Sequence, residues 1–518
     1  MLHVTRLLPH ASWKPSSASW RPATSWQSWN ARSCKQFSVH AHHTHIRVGC
    51  GHATSWDEVG AANLQQWILQ AGGEIQGIQL HLQRASDGAV TGRQLKADKA
   101  ILKGQLLASI PKACQLRYDG VQDERLLCLF QKLPVGSDSG TASWQYKQAL
   151  LLLWHQSLGP ASPLLPYISA LPGSPGLPSI PVPRVGMLLD DELLEHLQSP
   201  GLVNDINNHK YWASWMEREL QALTPDQSPF GPHKAINGQT FRAAVAIITS
   251  RCFALSSNVH SMPAFIDMAD HALESNAEIT SDKQTGAVLL HSTRDIAAGH
   301  HICITYGPHS NEELLLSFGF ILPPGTNQHD RYTWPWDLGV LVELIRQMCG
   351  ESWISLPLPA WKIAALQRVG LPSEGPEVSL FVGGTGPAPV DGRFLAAVRI
   401  LLLQPDAETL LATLPSTLLV DWETPIARQH EVFVCKAMAA FLAAVYQSFP
   451  TTIQSDRQKL TQLLQDIKES SVDQGPGPSA ELDKLSDMRL AVEFRLSVKL
   501  ALERALILIL QRGKDLCP

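Results

Sequence analysis

The chain has 518 residues, with 42 basic against 47 acidic side chains and a formal net charge of −5. That balance offers no broad basic surface, which argues against nucleic acid as a partner, and the length calls for roughly two or three domains rather than one core. Hydrophobic residues make up 44% of the chain, a globular share.

Residues 1–56 contain Arg6, Lys14, Arg21, Arg32, Lys35 and Arg47, and no acid precedes Asp57. Serine and tryptophan recur ("ASWKPSSASWRPATSWQSW"). A basic, serine-rich, acid-free segment has the composition of an organelle transit peptide, although a disordered tail without an address has the same texture. His40, His42, His43 and His45 fall in this segment and read as composition rather than as a metal site. No long apolar run free of charge occurs, so no membrane span is expected. The cysteines Cys34, Cys50, Cys114, Cys128, Cys252, Cys303, Cys349, Cys435 and Cys517 stand too far apart for zinc spacing or a disulfide framework. Reduced thiols of an intracellular protein are expected.

Beyond the tail, Leu64, Trp67, Ile68 and Ala71 recur at helical spacing, and Gly72 and Gly73 stop the run. "IQLHLQRA" alternates as a strand does, and "AVTGRQLKADKAILKGQLLASIPKAC" adds turn glycines and further strand, giving a compact β-rich unit. From about 120 to 245 the pattern is helical and loop-rich. "WQYKQALLLLWHQSL", "YWASWMERELQAL" and "FRAAVAIITSRCFAL" read as helices, while the prolines of "GPASPLLPYISALPGSPGLPSIPVPR" exclude regular structure over most of that stretch. "GAVLLHSTRDIAAGHHICITYG" reads as strand, turn, strand, and "NEELLLSFGF" as a short helix or turn. Residues 323–335 are expected to be a linker. Residues 336–516 carry helical periodicity and are expected to form a separate all-α domain.

The chemistry concentrates in "FIDMADHALESNAEI" (265–279). On a helix, Asp267, Asp270, His271 and Glu274 would share one face. Such a face could bind a hard cation or simply be solvated. A phosphate-binding loop, a G-x-S-x-G elbow and an H-E-x-x-H pair are absent from the chain, and in "GGTGPAP" prolines stand where a dinucleotide site needs a helix N-terminus.

Three segments in order decide between these options: "SRCF" (250–253), "MPAFIDMADHALESNA" (262–277) and "GHHICITYGPHSNEELLLSFGF" (299–320). Together they resemble the SET-domain family of protein-lysine methyltransferases, in the branch typified by Rubisco large-subunit methyltransferase. That branch has S-R-x-F, then D-x-x-N-H-x-x-x-x-N, then I-x-Y-G-x-x-x-N-x-x-L-L-x-x-Y-G-F. "GRQLKADKAILKGQLLASIPK" is similar to its opening strands, "SLGPASPLLPYISALP" to its helical insert, and the helices of 336–516 to its substrate-binding domain.

The resemblance implies an α+β fold: a SET domain over 57–322 with a pseudoknot and a helical insert at about 120–245, followed by the helical domain. It implies S-adenosyl-L-methionine as cofactor, Tyr306 as the catalytic residue, and Gly92, Arg93, Arg251, Asp270 and His271 as cofactor-binding residues. Ser250, Phe253, Asp267, Ile304 and Phe318 would line the lysine channel, and no metal is implied. For Arg251 an ion pair with Asp267 is the structural alternative. For Phe253 and Ile304 it is core packing, and for Tyr306 a structural place at a strand end. Glu274 and Glu278 are then expected to be solvated.

Three positions depart from the family pattern. Asp270 stands for the asparagine of the Asn-His pair, Gln94 for the second glycine of G-x-G, and Phe318 for the tyrosine of Y-G-F, while Asn311 and Gly319 keep register. The expected function is methylation of lysine in an organelle protein, with the chloroplast preferred to the mitochondrion or cytoplasm. Rubisco large subunit or aldolase would be the kind of substrate. The protein substrate would dock on the helical domain of a monomeric enzyme. The alternative is a SET-fold binding module with weakened or absent catalysis.

Overall fold

The computed structural model describes residues 58–84, 90–133, 143–174, 180–230, 236–256, 259–350, 354–372, 378–404, 407–473 and 480–517. The transit segment expected at 1–56 lies outside them.

Helix α1 (Glu58–Gln70) leads into strands β1 (Glu74–Ile75), β2 (Ile78–Arg84), β3 (Val90–Ala97), β4 (Leu106–Ile110) and β5 (Gln115–Leu116). The insert follows, with helices α2 (Glu124–Lys132), α3 (Ser143–Leu158), α4 (Leu165–Ile168), α5 (Asp191–Leu197), α6 (Pro200–Gln221) and α7 (Gly238–Arg251). Strands β6 (Phe253–Ser256), β7 (Val259–Pro263), β8 (Asp270–His271), β9 (Ala277–Ser281), β10 (Val288–Ser292) and β11 (Cys303–Ile304) complete the β-rich unit, and helix α8 (Asn311–Phe318) closes it.

These strands form several small sheets. β1, β4, β10 and β9 lie side by side in that order, β2 and β3 form a hairpin, and β5, β7 and β6 form a third group. Strand β10 shows why the sequence is legible here: Val288 and Leu290 are buried while Leu289 and His291 are only partly so, the period of two that a one-sided sheet imposes. β8 and β11 pair in parallel, with Cys303 opposite Asp270 and Ile304 opposite His271. Parallel pairing between segments this distant means that one threads beside the other.

One core joins Leu64, Ile68, Leu95, Leu107, Ile110 and Phe265 of the β-rich unit to Leu150, Tyr167, Phe241 and Ile248 of the insert. Helix α7 is started by a capping box between Asn237 and Thr240, and it buries Phe241, Ala244, Val245, Ala246, Ile247 and Ile248. It therefore arrives at the site with its last residue, Arg251, held rigidly.

The C-terminal region holds helices α9 (Leu338–Cys349), α10 (Ala360–Arg368), α11 (Gly392–Leu402), α12 (Glu408–Thr413), α13 (Ser416–Val420), α14 (Arg428–Gln447), α15 (Ile453–Asp473) and α16 (Ala480–Leu516). Two features differ from expectation. The stretch read as a linker contains strand β12 (Arg331–Pro335), which pairs antiparallel with β13 (Ser379–Gly384), so the helical domain carries a β-ribbon. The ribbon was hidden because a five-residue strand beside prolines has no periodicity of its own, and its partner lies far along the chain. The second core also reaches back into the insert, taking Leu193, Leu197, Leu202 and Ile206 from α5 and α6. A buried ion cluster fastens this contact. Asp456 of α15 accepts from Arg495 at 2.8 Å and from Lys499 at 2.6 Å, and Lys499 also donates to Gln198 in the α5–α6 turn at 3.1 Å. Among the described residues no helix is long and apolar enough to cross a membrane.

Candidate active site

A cleft of about 1220 Å³ opens where β3, the end of α7, the 267–276 segment and the residues after β11 converge. The 265–279 segment that forms one wall is not a helix. The backbone turns sharply at Phe265, with φ 74° and ψ −52°, and Ile266 N donates to Ala264 O at 2.9 Å. This is a γ-turn of the rare, strained hand. It is held because Phe265 is completely buried. A single 3-10 turn over Ile266–Met268 and then β8 follow. The acidic helical face therefore does not exist. Asp267 is buried and Asp270 and His271 are half-buried, while Glu274 and Glu278 are exposed, the solvation expected of the two glutamates.

At the base of the cleft, Arg251 Nη1 donates to the Asp267 carboxylate at 3.2 Å and to the Asp267 carbonyl at 3.0 Å. Burial pushes the Asp267 carboxyl upward, against the pull of Arg251 and Arg93. Arg93 of β3 donates to Ala170 O of the insert. Its pKa falls to about 9, first through burial and then through repulsion from Arg251. Tyr167 of α4 completes the group, and burial followed by the Asp267 charge pushes its phenol well up. Two guanidiniums thus face one carboxylate. Arg251 Nε is buried without a hydrogen-bond partner. An orphaned donor in a polar cleft marks a place where a ligand or water completes the set.

Tyr306 follows β11. Its backbone N–H donates to His271 Nδ1 at 3.1 Å. Burial, then His309 and His329, lower the His271 pKa to about 4, so the ring is neutral near pH 7 and its proton sits on Nε2. The Tyr306 hydroxyl donates to Ala269 O at 2.9 Å. Burial and then the Asp270 charge push the phenol up, so it stays protonated. Its ring stacks on Phe318 with centroids 4.9 Å apart, while His271 lies at 5.1 Å and Phe320 at 6.4 Å. These four rings form an aromatic rim on the cleft.

Asn276 and Gly319 hold the rim in place. Asn276 Oδ1 accepts from Cys303 N and its Nδ2 donates to His301 O, both at 2.8 Å, which locks the threaded strand. Gly319 ends α8 with φ 77°, and a Cβ there would lie 2.7 Å from the Arg184 backbone, so glycine is required twice over. Asn311 serves the fold: its side chain bonds both the N–H and the carbonyl of Leu322.

Of the residues expected at the site, Gly92, Arg93, Ser250, Arg251, Asp267, Asp270, His271, Tyr306 and Phe318 line this one cleft, together with Gln94. Phe253 and Ile304 do not. Ile304 is 1% exposed inside the core, and Phe253 packs against the same core from β6. The core-packing alternative describes both. For Arg251 both alternatives hold, since it pairs with Asp267 while lining the cleft. Sequence reasoning missed Tyr167, Phe320 and the clamp made by Asn276. All three lie inside quoted segments, but Tyr167 sits in a proline-rich stretch with no local signal.

Comparison with known proteins agrees with this fold. The SET domain family model matches residues 92–307, and the Rubisco LSMT substrate-binding family model matches residues 355–502. The actin-histidine N-methyltransferase of Danio rerio is 23% identical over 466 residues, covering 86% of this chain and 67% of its own length. That of Gallus gallus is 22% identical over 413 residues, covering 76% and 62%. The chain thus spans about two thirds of these relatives or less. The SET domain of LSMT bound to lysine and AdoHcy superposes with a TM-score of 0.59 at 18% identity, covering 89% of this chain and 92% of that one. Rubisco LSMT bound to AdoMet gives 0.58 at 18% identity, covering 88% and 93%. With both domain models matched in order on the observed fold, the chain carries a SET domain followed by a Rubisco LSMT-type substrate-binding domain.

Proposed function

We propose that the protein is an S-adenosylmethionine-dependent protein N-methyltransferase that acts on a lysine side chain. The observation that carries this reading is the placement of the Tyr306 hydroxyl, fixed on Ala269 O within an aromatic rim, on the same cleft as the Arg93–Arg251–Asp267 group.

The donor set fits the cofactor. Guanidiniums suit its carboxylate, and the buried Arg251 Nε is a donor without a partner. Asp270 can accept from its ammonium, a task that a carboxylate performs as well as an amide oxygen. Bound S-adenosylmethionine supplies an electrophilic methyl group on a sulfonium. The chain's own residues prepare the acceptor. A free lysine has a pKa of about 10.4, and an apolar rim disfavours the ammonium form. Tyr306 orients the neutral amine, and Phe318 and Phe320 exclude water. Positioning of this kind can supply roughly 7–11 kcal/mol.

The actin-histidine methyltransferases among the relatives favour a second acceptor, a histidine ring, on the same rim. The protein substrate would dock on the helical domain that matches the Rubisco LSMT substrate-binding model. An organelle protein, in the chloroplast, remains our proposed target, with the enzyme acting as a monomer. Two measurements test the reading. Titration calorimetry should show S-adenosylmethionine binding, and no heat at millimolar cofactor would leave only a non-catalytic binding module. Mass spectrometry of proteins methylated by the purified chain should place the mark on lysine, and a mark on histidine would select the second acceptor.

A further inference from the structure

We propose that His309 is a positioning residue for Tyr306 and links it to the β-ribbon of the C-terminal domain. The kinetic part of this inference rests on the catalytic reading of Tyr306; the structural part does not.

His309 Nε2 lies 3.0 Å from the Tyr306 carbonyl. A carbonyl only accepts, so Nε2 carries the proton and donates. The same ring packs 5.6 Å from Phe318, the residue stacked on the Tyr306 ring. His309 thus touches the catalytic tyrosine's backbone and the aromatic partner of its side chain. The turn is built for this. Gly307 has φ 129°, and a Cβ there would stand 2.8 Å from His309 Nε2, so a side chain at 307 would displace the imidazole.

On its far side the His309 ring faces Glu313, with Nδ1 3.8 Å from the carboxylate. Glu313 is itself anchored. It accepts from Ser310 N at 2.8 Å as the capping partner of α8, and from Arg331 of β12 at 2.7 Å. Burial favours the neutral acid, but His309, the Ser310 amide and Arg331 outweigh it and hold the Glu313 pKa near 2. A continuous path therefore runs from Arg331 through Glu313 and His309 to Tyr306. The domain proposed to receive the protein substrate is tied to the residue proposed to orient the acceptor.

Hydrogen exchange at the Tyr306 amide, which donates to His271, reads this directly. In His309→Ala the amide should exchange about five- to tenfold faster, the worth of one hydrogen bond. His309→Gln, whose carboxamide can donate to the same carbonyl, should restore most of the protection. Arg331→Gln, which loosens a half-exposed pair, should accelerate exchange by about twofold. Amides in α14 serve as the internal control and should not change. Wild-type protection in His309→Ala, or α14 amides accelerating equally, would overturn the positioning role. Unchanged exchange in Arg331→Gln would overturn the link to the ribbon. Where the wild type methylates, His309→Ala should lower kcat and leave the KM for cofactor unchanged. A wild type that neither binds nor uses cofactor would remove the methyltransferase reading, and the exchange measurement would still decide the role of His309.

Discussion

The Arg251 guanidinium and the Asp267 carboxylate meet at 3.2 Å beneath the cleft, one at the end of α7 and the other just past the strained turn at Phe265. The Asp267 side chain is fully buried, and that of Arg251 is 18% exposed. Removing one member of such a pair leaves the other charge without compensation. Asp267→Ala should destabilise the protein by about 3–5 kcal/mol. Urea unfolding checks this. Cofactor affinity should fall as well, because Arg93 and Arg251 would then repel each other without an anion between them.

Tyr306→Phe removes one hydroxyl and leaves the stacked ring. The lost hydrogen bond to Ala269 should cost about 1 kcal/mol of stability. Methyl transfer should drop about 100-fold or more, because the acceptor loses its alignment. Cofactor affinity by calorimetry should stay within about twofold, since the hydroxyl lies outside the charged group that would hold the cofactor. Equal turnover in the mutant would remove Tyr306 from catalysis.

Asp330 is 4% exposed and accepts from Asn311 N at 2.7 Å. Burial raises its pKa to about 7, above the ordinary carboxylate value of about 3.9 in an unfolded chain. Between those values the folded state holds a proton that the unfolded state has released. Stability from this group is therefore present in acid and lost as pH rises toward 7, with a slope of up to about 1.4 kcal/mol per pH unit. Thermal or urea unfolding at pH 5 to 8 should show a shallower decline for Asp330→Asn than for wild type, whatever the mutant's absolute stability.

Glu431 and Arg399 are both completely buried in the helical domain, with Arg399 Nη1 and Nη2 also donating to the carbonyls of Leu418, Leu419, Asp421 and Thr424. Arg399 therefore pins the 418–424 segment against α11. Glu431→Ala should cost about 3–5 kcal/mol by leaving that cation uncompensated. Limited proteolysis should then cut first within 418–424, while the SET domain stays protected.

Much of the site was legible because its motifs are short and local. "SRCF", the Asp-His pair and "ITYG" each keep their residues close, and the fold had only to bring three segments together. The features that escaped depend on distant pairing. A helical face for Asp267, Asp270, His271 and Glu274 was consistent with their spacing, but β8 extends because it pairs with β11. Tyr167 reaches Asp267 from a stretch whose prolines hide any pattern. The strand at Arg331–Pro335 needed Ser379–Gly384 to exist. The insert and the helical domain share a core because Leu193, Leu197, Leu202 and Ile206 pack into the second cluster rather than the first, a choice that periodicity alone does not assign. Ile304 and Phe253 show the converse limit: apolar residues beside a motif read equally as channel or core.

The β8–β11 pair has a consequence for how the protein comes into being. Two residues on each side cannot hold a parallel pairing alone, and closing the long intervening loop costs entropy before any contact is returned. The Asn276 clamp onto His301 and Cys303 supplies what the short strands lack. A nascent chain that has emerged only as far as β10 therefore owns Arg251, Asp267 and Asp270 but no assembled pocket. Cofactor-binding competence should arrive abruptly, once the segment carrying Tyr306 has left the ribosome and threaded into place.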